Sequence, residues 1–497
     1  MTALFPILVS FYCPSFLKML KYYYKLYSIL KGVPCMTILG AFMVPHPPLI
    51  IPEVGRGNER GISATIAAYE EVAQLVVALQ PETIVVTSPH TVMYRDYFHI
   101  SPGAIASGDF AQFNAPQVQI HCDYDREFVF ALEAAALAQN FPAGTHGERE
   151  PELDHATMIP LYFINKLYKR YKLVRIGLSG ESLLKHYQLG EMIAATAKKL
   201  RRRIVVIGSG DLSHKLTKNG PYGFNPAGPE YDKRIMQVMS QANFGELFNF
   251  TDSFCEEAAE CGHRSFTILA GTLDGLAVEA QQLSYEGPFG VGYGVCAYAP
   301  CGTDDSRHFG DQYATLRAKL RQQLQDEEDT YVKLARATIE SYIIKGKHLP
   351  LPKNLPEEML QKQAGTFVSL HINGQLRGCI GTIGPVQCNI AQEIMHNAIS
   401  ASTEDPRFNP VRPEELPDLD YSVDVLGELE PIKDASQLDV KRYGVIVTKG
   451  NRRGLLLPNL DGVDTVEQQI SIACQKAGLA PQEKGISLMR FEVIRHH

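Results

Sequence analysis

Three apolar runs of strand length set the frame of the chain, and each ends on a breaker that leads to a histidine. Ile204-Val205-Val206-Ile207 is β-branched throughout, breaks at Gly208 and continues through Ser209-Gly210-Asp211-Leu212-Ser213 to His214, the pattern of a buried strand that gives way to a loop. Ile38 to Val44 runs likewise into Pro45-His46-Pro47-Pro48, and Thr83 to Thr87 into Ser88-Pro89-His90. Helical patterns lie between and after them, at Gly61 to Leu79, Tyr124 to Gln139, Thr157 to Lys169, Gln188 to Arg201, Glu230 to Ala242 and Phe266 to Asp274. Further strands are expected near Leu173 to Gly177 and Gly292 to Ala299. This alternation predicts an α/β domain over residues 36–302, a doubly wound and mainly parallel sheet. In such a sheet the strand ends share one edge, where ligands bind. The three histidines are therefore expected to converge.

Around Cys301 to Gln325 the pattern changes to a charged helical run, so residues 303–325 are read as a linker and 326–497 as a smaller α+β domain. Its expected elements are a helix at Tyr331 to Tyr342 and a hairpin in which Thr366 to Ile372 turns at Asn373-Gly374 into Leu376 to Thr382, followed by strands at Asp420 to Leu426 and Gly444 to Thr448. An Asn-Gly pair between apolar alternations is the strongest short hairpin signal. No internal repeat or low-complexity segment interrupts the chain.

Composition narrows the function classes. A formal charge of -7 over 497 residues gives no basic footprint for nucleic acid. The ten cysteines include no C-x-x-C pair, so neither a disulfide framework nor a zinc ribbon is indicated, and a reducing cytoplasmic setting is expected. Residues 1–35 differ from the rest. Met1 to Tyr12 is apolar but shorter than a spanning helix, and Lys18, Lys21, Lys25 and Lys31 follow it. Two readings stand side by side: an upstream extension from a misassigned start at Met36, or a peripheral membrane anchor with a surface helix around Leu17 to Leu30.

The strand-end histidines carry the candidate chemistry. A mononuclear non-haem Fe(II) site takes two imidazoles and one carboxylate on one face and leaves the opposite positions open. His46 and His90 supply the imidazoles, and Glu260, in the polar turn Glu256 to Ser265, is chosen for the carboxylate. His155 and His214 also sit in turns, where spare histidines serve proton transfer. Ser209 and Asp211, in the loop before His214, complete the list of candidates.

The pieces Val44-Pro45-His46-Pro47-Pro48, Ser88-Pro89-His90, Leu153-Asp154-His155, Gly208 to His214 and Glu260-Cys261-Gly262-His263-Arg264-Ser265, in this order, resemble the class III extradiol ring-cleavage dioxygenases of the LigB type and the related Memo-type proteins. The resemblance implies Fe(II), with zinc or another divalent metal as alternatives, held by His46, His90 and Glu260. It implies His214 as catalytic acid/base and His155 beside the substrate. Memo-type proteins place a cysteine in the last motif, so Cys261 is the alternative third ligand. The implied reaction opens an aromatic ring of a catechol or aminophenol with dioxygen, His214 taking the second hydroxyl proton.

Leu376-Arg377-Gly378-Cys379-Ile380-Gly381-Thr382, with Ala401 to Phe408 and Gly454 to Pro458, resembles the AMMECR-type domain. Two readings of the motif stay open: a strand entering a tight turn, or a nucleophilic or redox Cys379 with Arg377, His371 and Asp405 near it. The two families joined in one chain resemble the AmmeMemoRadiSam system, which implies a radical-SAM protein as partner. A homo-oligomer is expected.

Overall fold

The computed structural model describes residues 36–497 except Asn373, Asp461 and Gln482. The N-terminal stretch with its candidate anchor, and Asn373 of the expected turn, lie outside the described residues; Gly374 beside it has φ +77°, the left-handed conformation such a turn requires. The chain divides into two compact units, one ending at Arg317 and the other beginning at Ala318. That division falls within the stretch read as a linker, most of which is helix, Phe309–Glu327.

The first unit is built on six strands: β1 (Ile38–Val44), β2 (Thr83–Ser88), β3 (Lys172–Gly177), β4 (Ile204–Ser209), β5 (Leu276–Glu286) and β6 (Tyr293–Thr303). They lie in the order β3-β2-β4-β1-β6-β5. The first four are mutually parallel, and β6 and β5 complete the sheet antiparallel. Both faces are covered, because side chains alternate along each strand. Met43, Val85, Val174, Val206 and Tyr298 enter one core, while Phe42, Val44, Val86, Val205 and Val295 enter the other.

Helices α1 (Ser63–Leu79) and α2 (His155–Asn165) cover the second core, and α3 (Leu183–Leu200) and α4 (His263–Thr272) the first. The stretch Asn58–Leu79, which contains α1, is the one helix among the described residues long and apolar enough to cross a membrane. Its Ala68, Tyr69, Val72 and Val76 are buried in the second core. Strand β5 was absent from the expected elements for a physical reason. It is an edge strand whose residues are mostly half-exposed, and a half-exposed edge does not need the apolar run that marks a central strand.

Register sets the functional edge. Val44 pairs with Ser209 and Thr87 with Gly208, so the ends of β1, β2 and β4 are level and the segments carrying His46, His90 and His214 leave the sheet together.

The second unit has a four-stranded sheet built on Thr366–Ile372, Gln375–Gly381, Leu419–Leu426 and Val493–His496. Val368, Leu370 and Val423 are buried in one cluster with Val332 and Ile339 of helix Thr330–Lys345 and Ala391 and Ile394 of helix Ile390–Thr403. A second four-stranded sheet packs with helix Val466–Lys476. This is the smaller α+β domain expected from the pattern.

Candidate metal centre

His46 follows β1 and is 1% exposed. Its Nε2 lies 3.0 Å from Nε2 of His90, which follows β2, and 3.5 Å from Sγ of Cys261. His46, His90 and Cys261 form the one cluster of potential metal ligands among the described residues, with ligand atoms all within 4.8 Å of one another. An ion bonded at about 2.1 Å to nitrogen and about 2.3 Å to sulfur holds its donors roughly 3–4 Å apart, a range that the 3.0 Å and 3.5 Å separations at His46 match.

At the third position the structure brings Cys261, the alternative ligand, to His46 and turns the preferred Glu260 away. Ala259 adopts φ +52° where the helix Asp252–Ala258 ends, and the two residues that follow it diverge. Cys261 turns to His46, whereas the Glu260 carboxylate accepts the backbone N–H of His263 at 2.6 Å, capping the first turn of α4. Glu260 is half-buried there, with its carboxyl pushed up to about 7 by desolvation, against hydrogen bonds from the His263 backbone and Tyr231 and the charge of Arg264. Here it serves as a capping group, and the cluster that could hold a metal ion offers two imidazole nitrogens and one thiol sulfur.

Two loops bring Cys261 to the strand ends. A Cβ on Gly210 would stand 2.1 Å from Cα of Gly262, so only glycine allows the two backbones to meet. The contact lets the Asp211 N–H donate to Cys261 Sγ at 3.3 Å, while one Asp211 carboxylate oxygen accepts the His46 N–H at 2.6 Å. Asp211 thus ties both ligands to the end of β4. Its carboxyl is pushed up to about 7 by burial, a rise the His46 N–H opposes.

Ser209 fixes the tautomer of His46. Its hydroxyl donates to Ala156 O at 2.7 Å, so its oxygen is the acceptor for His46 Nδ1–H at 3.1 Å and His46 Nε2 is left with a lone pair. Partners of this kind orient a ligand and raise its basicity. Ser209→Ala is expected to weaken metal binding about 10- to 100-fold without unfolding the domain, measured by chelator competition; unchanged affinity would remove Ser209 from this role.

Around the donors stand the remaining histidines. The His155 ring stacks on that of His90 with centroids 4.4 Å apart, and Phe113 packs edge-on against it. Asp154 caps α2 through Thr157 N–H and holds Ser88 Oγ at 2.6 Å; Ser88 in turn accepts the His90 N–H. His214 donates Nδ1–H to Ala259 O at 2.6 Å and turns Nε2 toward Asp211 at 4.0 Å. Tyr222 covers one edge of it. Burial holds His46, His90 and His214 below the ordinary imidazole range, and burial with the neighbouring His90 takes His155 to about 4. Neutral imidazoles are what a metal requires. The Cys261 thiol is pushed well up by burial and then by the nearby Asp211 and Glu260, so it is protonated until a cation stabilises the thiolate.

Asp154, Ser88 and Tyr222 were not among the sequence candidates. Asp154 had a legible signal, an Asp three residues before Thr157 at the head of an apolar helical run; the other two depend on tertiary contacts. Arg377 and Cys379 lie in the second unit. Arg377 pairs with Glu415 at 2.7 Å, Ser369 Oγ donates to Cys379 Sγ at 3.3 Å, and Asp405 accepts the Cys379 N–H. His371, half-buried on the neighbouring strand, feels Asp420 and Arg495.

Comparison with known proteins agrees with the two-part organisation. The model for the catalytic LigB subunit of aromatic ring-opening dioxygenase matches residues 40–296, and the AMMECR1 model matches residues 332–496. A protein of Clostridium acetobutylicum is 41% identical over 469 residues, 93% of this chain and 99% of its own. One of Thermotoga maritima is 51% identical over 170 residues, 34% of this chain and 98% of its own. A crystal structure from Pyrococcus horikoshii is 34% identical, covers 33% of this chain and 88% of its own, and has a TM-score of 0.32.

Proposed function

Because the chain belongs to the LigB family and carries an AMMECR1 domain after it, we propose that its first domain is a metal-dependent oxidoreductase of the extradiol type, acting on a catechol-like or aminophenol-like aromatic. The convergence of His46, His90 and Cys261 carries this reading. Fe(II) is the metal proposed, and the thiolate also suits zinc or copper. His46, His90 and Cys261 would hold the ion, which would supply Lewis acidity toward the bound aromatic and redox chemistry with dioxygen.

The chain's own groups do the remaining work. His214, with Nδ1–H committed to Ala259 O, keeps Nε2 as the basic atom and takes the second hydroxyl proton. His155 and Phe113 form an aromatic wall beside the ligands against which a flat ring stacks.

His214→Ala is expected to keep its metal and lose turnover by at least about 100-fold, whereas His46→Ala loses the metal. Equal metal loss in both variants would overturn this division of roles. The substrate class is tested by loading anaerobically purified protein with Fe(II) and following a catechol and aminophenol panel for yellow ring-opened products under air.

One observation favours a second reading, a metal-binding Memo-like protein that performs no ring cleavage and works with a radical-SAM partner. A thiolate takes the place where a hard carboxylate suits oxygen chemistry. Bound zinc or copper with no coloured product in the panel would select it.

A further inference from the structure

A second polar cluster lies behind the metal centre, on the edge strand β3. Arg175 is 1% exposed. Its Nε donates to Ser101 Oγ at 2.7 Å, Nη1 to Glu152 O at 2.6 Å and Nη2 to Glu150 O at 2.8 Å. Beside it the His99 side chain is wholly buried, and neither ring nitrogen has a hydrogen-bond partner. The Tyr124 hydroxyl is also buried, beside Ser101, and feels the same guanidinium. Buried polar groups in native proteins are almost always satisfied; the Arg175 guanidinium has its partners, whereas the His99 imidazole beside it has none and calls for an acceptor.

A partial occupant is present. The Glu148 carboxylate stands 3.4 Å from Arg175 Nη2 and 4.0 Å from His99 Nε2. It is close enough to balance the charge of Arg175 and too far to bond His99. Glu148 sits on a strap, residues 145–153, at the solvent boundary, its side chain 22% exposed. The strap is fastened by the Tyr94 hydroxyl on Gly147 O and by Arg149 over the Tyr94 ring. The cradle backs onto the histidine cluster, since Arg175 Nη1 is 3.9 Å from the Asp154 carboxylate that caps the helix beginning with His155.

We propose that Arg175, His99 and Tyr124 form a carboxylate-binding cradle, that Glu148 is its tethered occupant, and that the carboxylate of a small organic acid takes its place. The resident group defines the ligand class. A planar anion with two oxygens can face the guanidinium while accepting from His99 N–H and Tyr124 O–H. This site does not depend on which metal fills the centre.

The test uses the full chain with benzoate as probe. Glu148→Gln keeps the shape of the strap and removes its charge, so it is expected to bind benzoate saturably and at least tenfold more tightly than the wild type by calorimetry. Labelled-histidine NMR should show the His99 ring responding over the same titration. Adding Tyr124→Phe, which removes only a hydroxyl, should lower that affinity at least threefold with an unchanged melting curve. Equal affinity in Glu148→Gln and wild type, a silent His99 ring, or saturation by inorganic phosphate with none by benzoate would overturn the proposal.

Discussion

Cys261→Ala is expected to lower metal affinity by at least about 100-fold, since even partners that only orient a ligand are worth 10- to 100-fold, while Glu260→Gln leaves it near the wild-type value. The contrast follows from adjacent side chains that point apart. Cys261 Sγ lies 3.5 Å from His46 Nε2, and Glu260 is spent on the N–H of His263. The thiol also gives the binding reaction a pH sign. Burial raises its pKa in the absence of metal, so loading must expel its proton and affinity falls as the pH is lowered. Elemental analysis after chelator competition, repeated at two pH values with proton release followed, checks both parts. Metal loss in Glu260→Gln with retention in Cys261→Ala would restore the carboxylate centre.

Gly210→Ala is expected to cost about 3 kcal/mol, the upper part of the range for overpacking a tight interior, and roughly 6–12 °C in Tm. The added Cβ would meet Gly262 Cα at 2.1 Å. Both partners are backbone, so no side chain can swing aside, and the loops must part. Asp211 and Cys261 part with them, so metal affinity should fall by more than about tenfold. Gly384→Ala serves as the control: its Cβ meets nothing within 4 Å, so a change within about 0.5 kcal/mol is expected. Thermal melting and metal titration of the two variants read the outcome. A Gly210→Ala protein with wild-type stability and affinity would show that the two backbones need not touch.

Much of this architecture is legible in the sequence because it repeats locally. The runs at Ile38, Thr83 and Ile204 are apolar on both alternating faces, which only a strand covered on two sides requires, and each ends on residues that stop a strand. That places His46, His90 and His214 at one edge before any contact is known. Strand β5 and Ser88 carried weaker signals: a half-exposed edge tolerates polar residues, and a hydroxyl gains its role only from the helix cap that reaches it.

The choice between Glu260 and Cys261 was open in the sequence, since both lie in one polar turn and residue type favoured the carboxylate for an iron site. In the structure a left-handed Ala259 ends the helix, Glu260 then turns to the His263 N–H and Cys261 to His46, and Gly210 and Gly262 approach closely. By itself the sequence determined the two-domain α/β and α+β plan and the edge where the histidines gather, because periodicity and breakers act over a few residues. Only the tertiary structure decided which of Cys261 and Glu260 stands beside His46, the tautomer of His46 and the burial of Arg175, because these depend on contacts between segments far apart in the chain, which no local pattern records.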